Sequence, residues 1–103
     1  IIWSHCDKFV GKILCINYKH KLSRQYHKEK EETIMVLTGT LLVEVGSKEN
    51  IKEIVLKKGQ SFHIVPGLIH RFIAAYGDVD LAEVSTPELD DVVRLEDDYN
   101  RSK

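Results

Sequence analysis

At 103 residues, 43% of them hydrophobic, the chain is long enough for one core and too short for two. Its formal net charge of -1 argues against nucleic acid as the main partner, because binding a phosphate backbone needs a basic surface. No run approaches the roughly 18 apolar residues of a membrane span, and the N-terminus lacks the basic-then-apolar order of a signal peptide, so the expected compartment is reducing and cytoplasmic.

The chain opens Ile1-Ile2-Trp3 without a methionine, which points to residues upstream of Ile1. The first expected strand, 8–17, carries Cys15 within Ile13-Leu14-Cys15-Ile16, where it reads as a small buried hydrophobe. Cys6 is the one other cysteine and there is no CxxC pair, so neither a thiolate metal cluster nor a disulfide is expected. A second strand, 22–28, bears Gln25 and His27, two residues apart and therefore on one face. Lys28-Glu29-Lys30-Glu31 reads as a polar connection into strand 32–38, which Glu32 opens and Gly39 ends. By parity Glu32, Ile34 and Val36 face inward while Thr33, Met35 and Leu37 face away. Apolar residues on both faces imply a second covering layer, either the C-terminal tail or another subunit.

Strands at 40–46, 51–57, 61–65, 69–75 and 79–85 follow. Turn chemistry separates them at Gly39-Thr40, Gly46 to Asn50, Lys58-Gly59, Pro66-Gly67 and Gly77-Asp78. His63 sits on strand 61–65, either lining a pocket as an acid/base candidate or facing outward. Glu83 on the last strand faces either the cavity or solvent. Thr86-Pro87-Glu88 suits the start of a short terminal helix, with threonine as N-cap and proline at the first position. Leu89, Val92, Val93 and Leu95 suit equally a tail strapped over the barrel. Many short strands at regular spacing, with no helix-period segment among them, indicate an all-β, double-sheet jelly roll in one domain, with residues 86–103 packed on it.

Charge is uneven along the chain. Lys19, Lys21, Arg24, Lys28 and Lys30 gather in one stretch, and Glu88, Asp90, Asp91, Glu96, Asp97 and Asp98 in another. These are either a solvated loop and a solvated tail, or a basic segment that draws a phosphorylated ligand toward a site.

Two segments carry metal-ligand chemistry: Gln25-x-His27-x4-Glu32 and Val65-Pro66-Gly67-x2-His70. If their strands lie side by side, two imidazoles, a carboxylate and an amide oxygen converge. Nitrogen and oxygen donors suit one divalent ion, Zn²⁺ foremost and Mn²⁺, Fe²⁺, Co²⁺ or Ni²⁺ as alternatives.

The run Q-x-H-x4-E-x6-G from Gln25 to Gly39, followed by G-x6-P-G-x2-H from Gly59 to His70, resembles the two signature motifs of the cupin superfamily, with Gln25 in place of the first usual histidine. The resemblance implies a cupin double-stranded β-helix. More narrowly, Leu22 to His27 and the tail from Asp90 to Arg101 resemble L-S-L-Q-x-H and D-D-I-V-R-F-E-D-x-Y-G-R of type II phosphomannose isomerases, including the isomerase domain of the bifunctional enzymes that also make GDP-mannose. Type I phosphomannose isomerases, another cupin branch, bind zinc through a Gln-x-His pair, a glutamate and a distant histidine. The chain departs from the pattern at Lys19, where cupins usually have glycine, and a turn of positive φ there would be strained. Small cupins commonly dimerise, which favours a homodimer through the N-terminal strands.

Three functions follow as expectations. The resemblance implies a sugar-phosphate aldose–ketose isomerase of the mannose 6-phosphate and fructose 6-phosphate type. Its base would be His63, Glu83 or a metal-bound hydroxide, and Arg94 would hold the substrate phosphate bidentately or pair instead with Asp90 or Asp98. The alternatives are a non-catalytic sugar- or small-ligand-binding cupin and a metal-dependent oxygenase, since the fold hosts many chemistries.

Overall fold

The computed structural model describes residues 1–96, so Asp97, Asp98, Tyr99, Asn100 and Arg101 of the tail motif lie outside the described residues. Within them the backbone forms ten strands and no helix. These are β1 (Ile2–His5), β2 (Val10–Ile16), β3 (Arg24–Tyr26), β4 (Glu32–Thr38), β5 (Thr40–Ser47), β6 (Asn50–Lys57), β7 (Ser61–Ile64), β8 (Ile69–Ile73), β9 (Val79–Ser85) and β10 (Val93–Glu96).

All pairings are antiparallel and fall into two five-stranded sheets, ordered β1-β2-β9-β4-β7 and β10-β3-β8-β5-β6. From β2 onward the chain crosses repeatedly between the sheets, with β5 and β6 the one consecutive pair that stays together. This winding is the double-stranded β-helix of a jelly roll.

Alternation along the strands builds the core. On β4, Ile34 and Val36 are fully buried while Met35 between them is exposed. On β9, Val79 and Leu81 point inward, followed by Glu83 and Ser85. The register pairs Val36 with Leu81, Ile34 with Glu83 and Glu32 with Ser85. The interior of the first sheet therefore runs from apolar to polar along its length, and the polar end is where a site can form.

Tight turns hold the strands in this order. Gly39, between β4 and β5, has φ 84°, and a side chain there would start 2.2 Å from the Asp78 carbonyl oxygen, so only glycine fits. Lys19 adopts φ 74°, the strained conformation expected where glycine is missing.

One expectation is corrected. Cys15 is exposed, not buried, because Val10, Lys12, Leu14 and Ile16 take the inward positions of β2 and leave Cys15 on the outer face, opposite Asp80. Of the two readings of the segment after β9, the described residues follow the tail: 86–92 form no helix, and β10 then extends the second sheet beside β3. An additional strand, β1, pairs with β2 at the edge of the first sheet, with the Trp3 ring lying over Gly11.

Candidate metal centre

Two segments far apart in sequence meet at the polar end of the barrel. Gln25 on β3 pairs directly with His70 on β8. Just before His70, Pro66-Gly67 forms a turn closed by Leu68 N–H donating to the Val65 carbonyl (3.2 Å), with Gly67 at the positive φ of 86° that such a turn requires. The Gly67 N–H then donates to the His27 carbonyl at 2.7 Å, tying the second motif to the first.

His27, Glu32 and His70 are all buried, and their ligand atoms lie within 4.8 Å of one another. Glu32 Oε2 is 3.8 Å from His27 Nε2, and Glu32 Oε1 is 3.5 Å from His70 Nε2. Each imidazole is oriented from behind. His27 Nδ1–H donates to the Asp91 carbonyl and His70 Nδ1–H to the Leu68 carbonyl (3.0 Å), so each Nε2 carries a lone pair directed into the site. Neither Nε2 has a hydrogen-bond partner. Two buried, unpartnered imidazole nitrogens facing one carboxylate fit a divalent ion, and the spacing suits ligand bonds of about 2.1 Å. Burial pushes the His70 pKa down to about 4, which keeps its ring neutral and able to ligate.

Asp91 organises the loop between His27 and Glu32. Its carboxylate accepts from the main-chain N–H groups of Lys28 (3.0 Å), Glu29 (2.6 Å) and Lys30 (2.8 Å), which hold it below the usual carboxylate range. The basic stretch and the acidic tail meet here through backbone donors. The clamp turns Lys28 and Glu29 to solvent and Lys30 inward. Lys30 Nζ lies 3.2 Å from Glu32 Oε2 and 3.6 Å from Glu83 Oε2, and Lys12 Nζ on β2 is also 3.6 Å from Glu83 Oε2. These residues, with Gln25, Arg94 and Phe72, line a cavity of about 380 Å³.

The expected residues divide. Glu83 faces the cavity and is buried. Arg94 stands opposite Gln25 in register, at the exposed edge of the cavity. Gln25 lines it too, its Oε1 accepting from the Ser23 hydroxyl at 2.7 Å. His63 is not brought to this cluster. It lies on the outer face of the first sheet, opposite Thr33, where its ring contacts the Thr33 hydroxyl (2.7 Å) and the Glu31 carboxylate. Lys12 and Asp91 went unread as site residues, and Lys30 was read only within the basic stretch that draws a phosphorylated ligand toward a site. Alternation with Val10 and Leu14 could have placed Lys12, whereas Lys30 lies in the loop before β4 and is turned inward by the clamp. Nothing local marks Asp91 among its acidic neighbours.

Comparison with known proteins identifies the family and the fold. The cupin domain profile matches residues 13–85. Solved structures share the fold: KdgF from a Halomonas species superposes with TM-score 0.73 at 16% identity, covering 87% of this chain and 78% of that one. Oxalate oxidase in complex with the substrate analogue glycolate gives 0.72 at 20% identity, covering 85% and 46%. CapF with the inhibitor 3-isopropenyl-tropolone gives 0.77 at 17% identity, covering 90% and 30%. No curated protein sequence matches.

Proposed function

The chain belongs to the cupin family, and from that premise we propose that it is a metal-dependent isomerase of sugar phosphates, interconverting an aldose and a ketose of the mannose 6-phosphate and fructose 6-phosphate type. The observation that carries the metal is the pair of unpartnered Nε2 atoms facing Glu32. The isomerase-like Leu22 to His27 and Asp90 to Arg94 segments support the reaction class. His27, Glu32 and His70 would hold the ion, zinc foremost, with the Gln25 amide oxygen, which now accepts from the Ser23 hydroxyl, as the candidate fourth protein ligand. When bound, such an ion supplies a Lewis acid for the carbonyl and hydroxyl oxygens of the substrate.

The remaining chemistry belongs to the side chains. Glu83 is the base, because among the described residues it is the cavity carboxylate outside the ligand set, and its Oε2 has no hydrogen-bond partner. It takes the C2 proton of the open-chain aldose as the C2–H electron pair becomes the C1–C2 double bond and the C1 oxygen gains the hydroxyl proton of O2. Return of the proton from Glu83 to C1 gives the ketose with no net change in the protein. His63, on the outer face, has no part in this reading. Arg94 holds the phosphate at the cavity edge through its guanidinium fork.

A second reading has its own observation. Lys30 already sets a positive charge against Glu32, as a metal-free binding module would require. One assay separates the two. Metal-loaded protein is expected to interconvert mannose 6-phosphate and fructose 6-phosphate with deuterium entering from solvent at C1 or C2. Saturable ligand binding without turnover across hexose and pentose phosphates would instead favour the binding module.

We also propose a homodimer through the outer face of the first sheet. Ile13, Ala82 and Met35 align there in register, with Val84 and Trp3 exposed, and the described part of the tail joins the other sheet.

A further inference from the structure

Two ammoniums share one carboxylate in the cavity. Lys12 and Lys30 each approach Glu83 Oε2 at 3.6 Å, and Lys30 also reaches Glu32. A metal ion on Glu32 would claim that carboxylate, leaving Glu83 as the single anion between two cations. Arg94 adds a third cation from the opposite sheet. With a divalent ion present, the charges lining the cavity sum to about +3, counting Lys12, Lys30 and Arg94 against Glu32 and Glu83. So large a surplus in a partly desolvated space calls for a ligand with more than one negative charge. A phosphate monoester carries about -1.5 to -2 at neutral pH, whereas a sugar acid carries one charge and a free sugar none.

Of the two lysines, Lys12 is the one free to serve the ligand. Its side chain is 23% exposed against 6% for Lys30, it does not contact Glu32, and it faces Arg94's sheet across the cavity. Glu83 Oε2, buried and without a hydrogen-bond partner, is left to accept from a ligand hydroxyl or act on a neighbouring C–H. We infer that Lys12 is the charge-selecting residue of the cavity, gripping the dianionic phosphoryl group of a hydroxylated ligand jointly with Arg94, while Lys30 remains the internal counter-ion of Glu83. This inference rests on the metal-site reading above and deepens it by fixing which ligand charge the cavity selects.

The test measures binding, not turnover. Zinc-loaded protein is titrated calorimetrically at low ionic strength with mannose 6-phosphate, inorganic phosphate, gluconate and mannose. Both phosphate probes should bind more tightly than gluconate. Lys12→Gln, which keeps the aliphatic stem, should weaken both phosphate probes about tenfold or more and leave mannose and zinc content unchanged. Lys12→Arg, which keeps the charge, should restore most of the affinity. Equal affinity of wild type and Lys12→Gln for mannose 6-phosphate, tighter binding of gluconate than of the phosphates, or no phosphate binding by wild type would each overturn the inference. Lys12-dependent phosphate binding in a protein that never turns over hexose phosphates would keep it and remove the isomerase. Turnover with an unchanged KM in Lys12→Gln would do the reverse.

Discussion

Each imidazole of the candidate centre commits one ring nitrogen to a main-chain carbonyl, and the carbonyl that meets His27 is fixed by the side chain of its own residue, Asp91. Removing that carboxylate frees three N–H groups and loosens the loop that joins His27 to Glu32. Asp91→Ala should therefore weaken metal binding roughly ten- to hundredfold, as loss of a ligand-orienting partner does elsewhere, while the sheets remain folded. Competition with a chromophoric chelator measures this, and an unchanged affinity would make the clamp purely structural. His70 gives a second expectation. Its folded pKa of about 4 lies below the ordinary histidine value of 6.5, so between those values the unfolded chain binds more protons than the folded one. The metal-free protein should lose stability as pH falls from 6.5 toward 4, by an amount on the order of 3 kcal/mol, and show no His70 contribution above that window. Urea denaturation at a series of pH values, compared with His70→Gln, reads it directly.

At the scale of elements, the bounds of β4 and β9 were legible because Glu32–Thr38 and Val79–Ser85 alternate cleanly between buried and outward positions. The strand β1 was not, since Ile2–His5 holds its place by pairing with β2 and by Trp3 lying over Gly11, contacts that no local pattern reports. The side of Glu83 depended on which strands pair with β9, a long-range fact. Cys15 was misread for a related reason: the run is apolar on both faces, and Lys12, a charged residue in the inward series, conceals the parity further. The convergence of His27, Glu32 and His70 was legible because ligand spacing restricts residue type, whereas His63 took the outward of its two readings. One departure from the family pattern was readable as strain. Lys19 sits at φ 74°, held by its N–H to the Ala74 carbonyl (2.8 Å) and by Tyr18 N–H to Asp78 (2.7 Å). Lys19→Gly should relieve that conformation and raise stability by about 0.5–1 kcal/mol, net of the added freedom of the unfolded chain. A urea midpoint that fell would show that Lys19's side-chain contact over Tyr18 outweighs the strain.

For the whole molecule, one outer face, that of the first sheet, carries several exposed apolar side chains. Val84 is 46% exposed and Met35 39%, on a sheet that the described part of the tail leaves uncovered. Light scattering should give a dimer, and Val84→Glu should convert it to a monomer with its metal retained; a wild-type monomer at high concentration would remove the dimer. The account as a whole depends on the centre formed by His27, Glu32 and His70. Elemental analysis of protein prepared without chelator and dialysed against zinc is its most direct test. The expected result is close to one divalent ion per chain, lost in His27→Ala and in His70→Ala but kept in His63→Ala. No ion retained by the wild type, or equal retention by all four proteins, would contradict it.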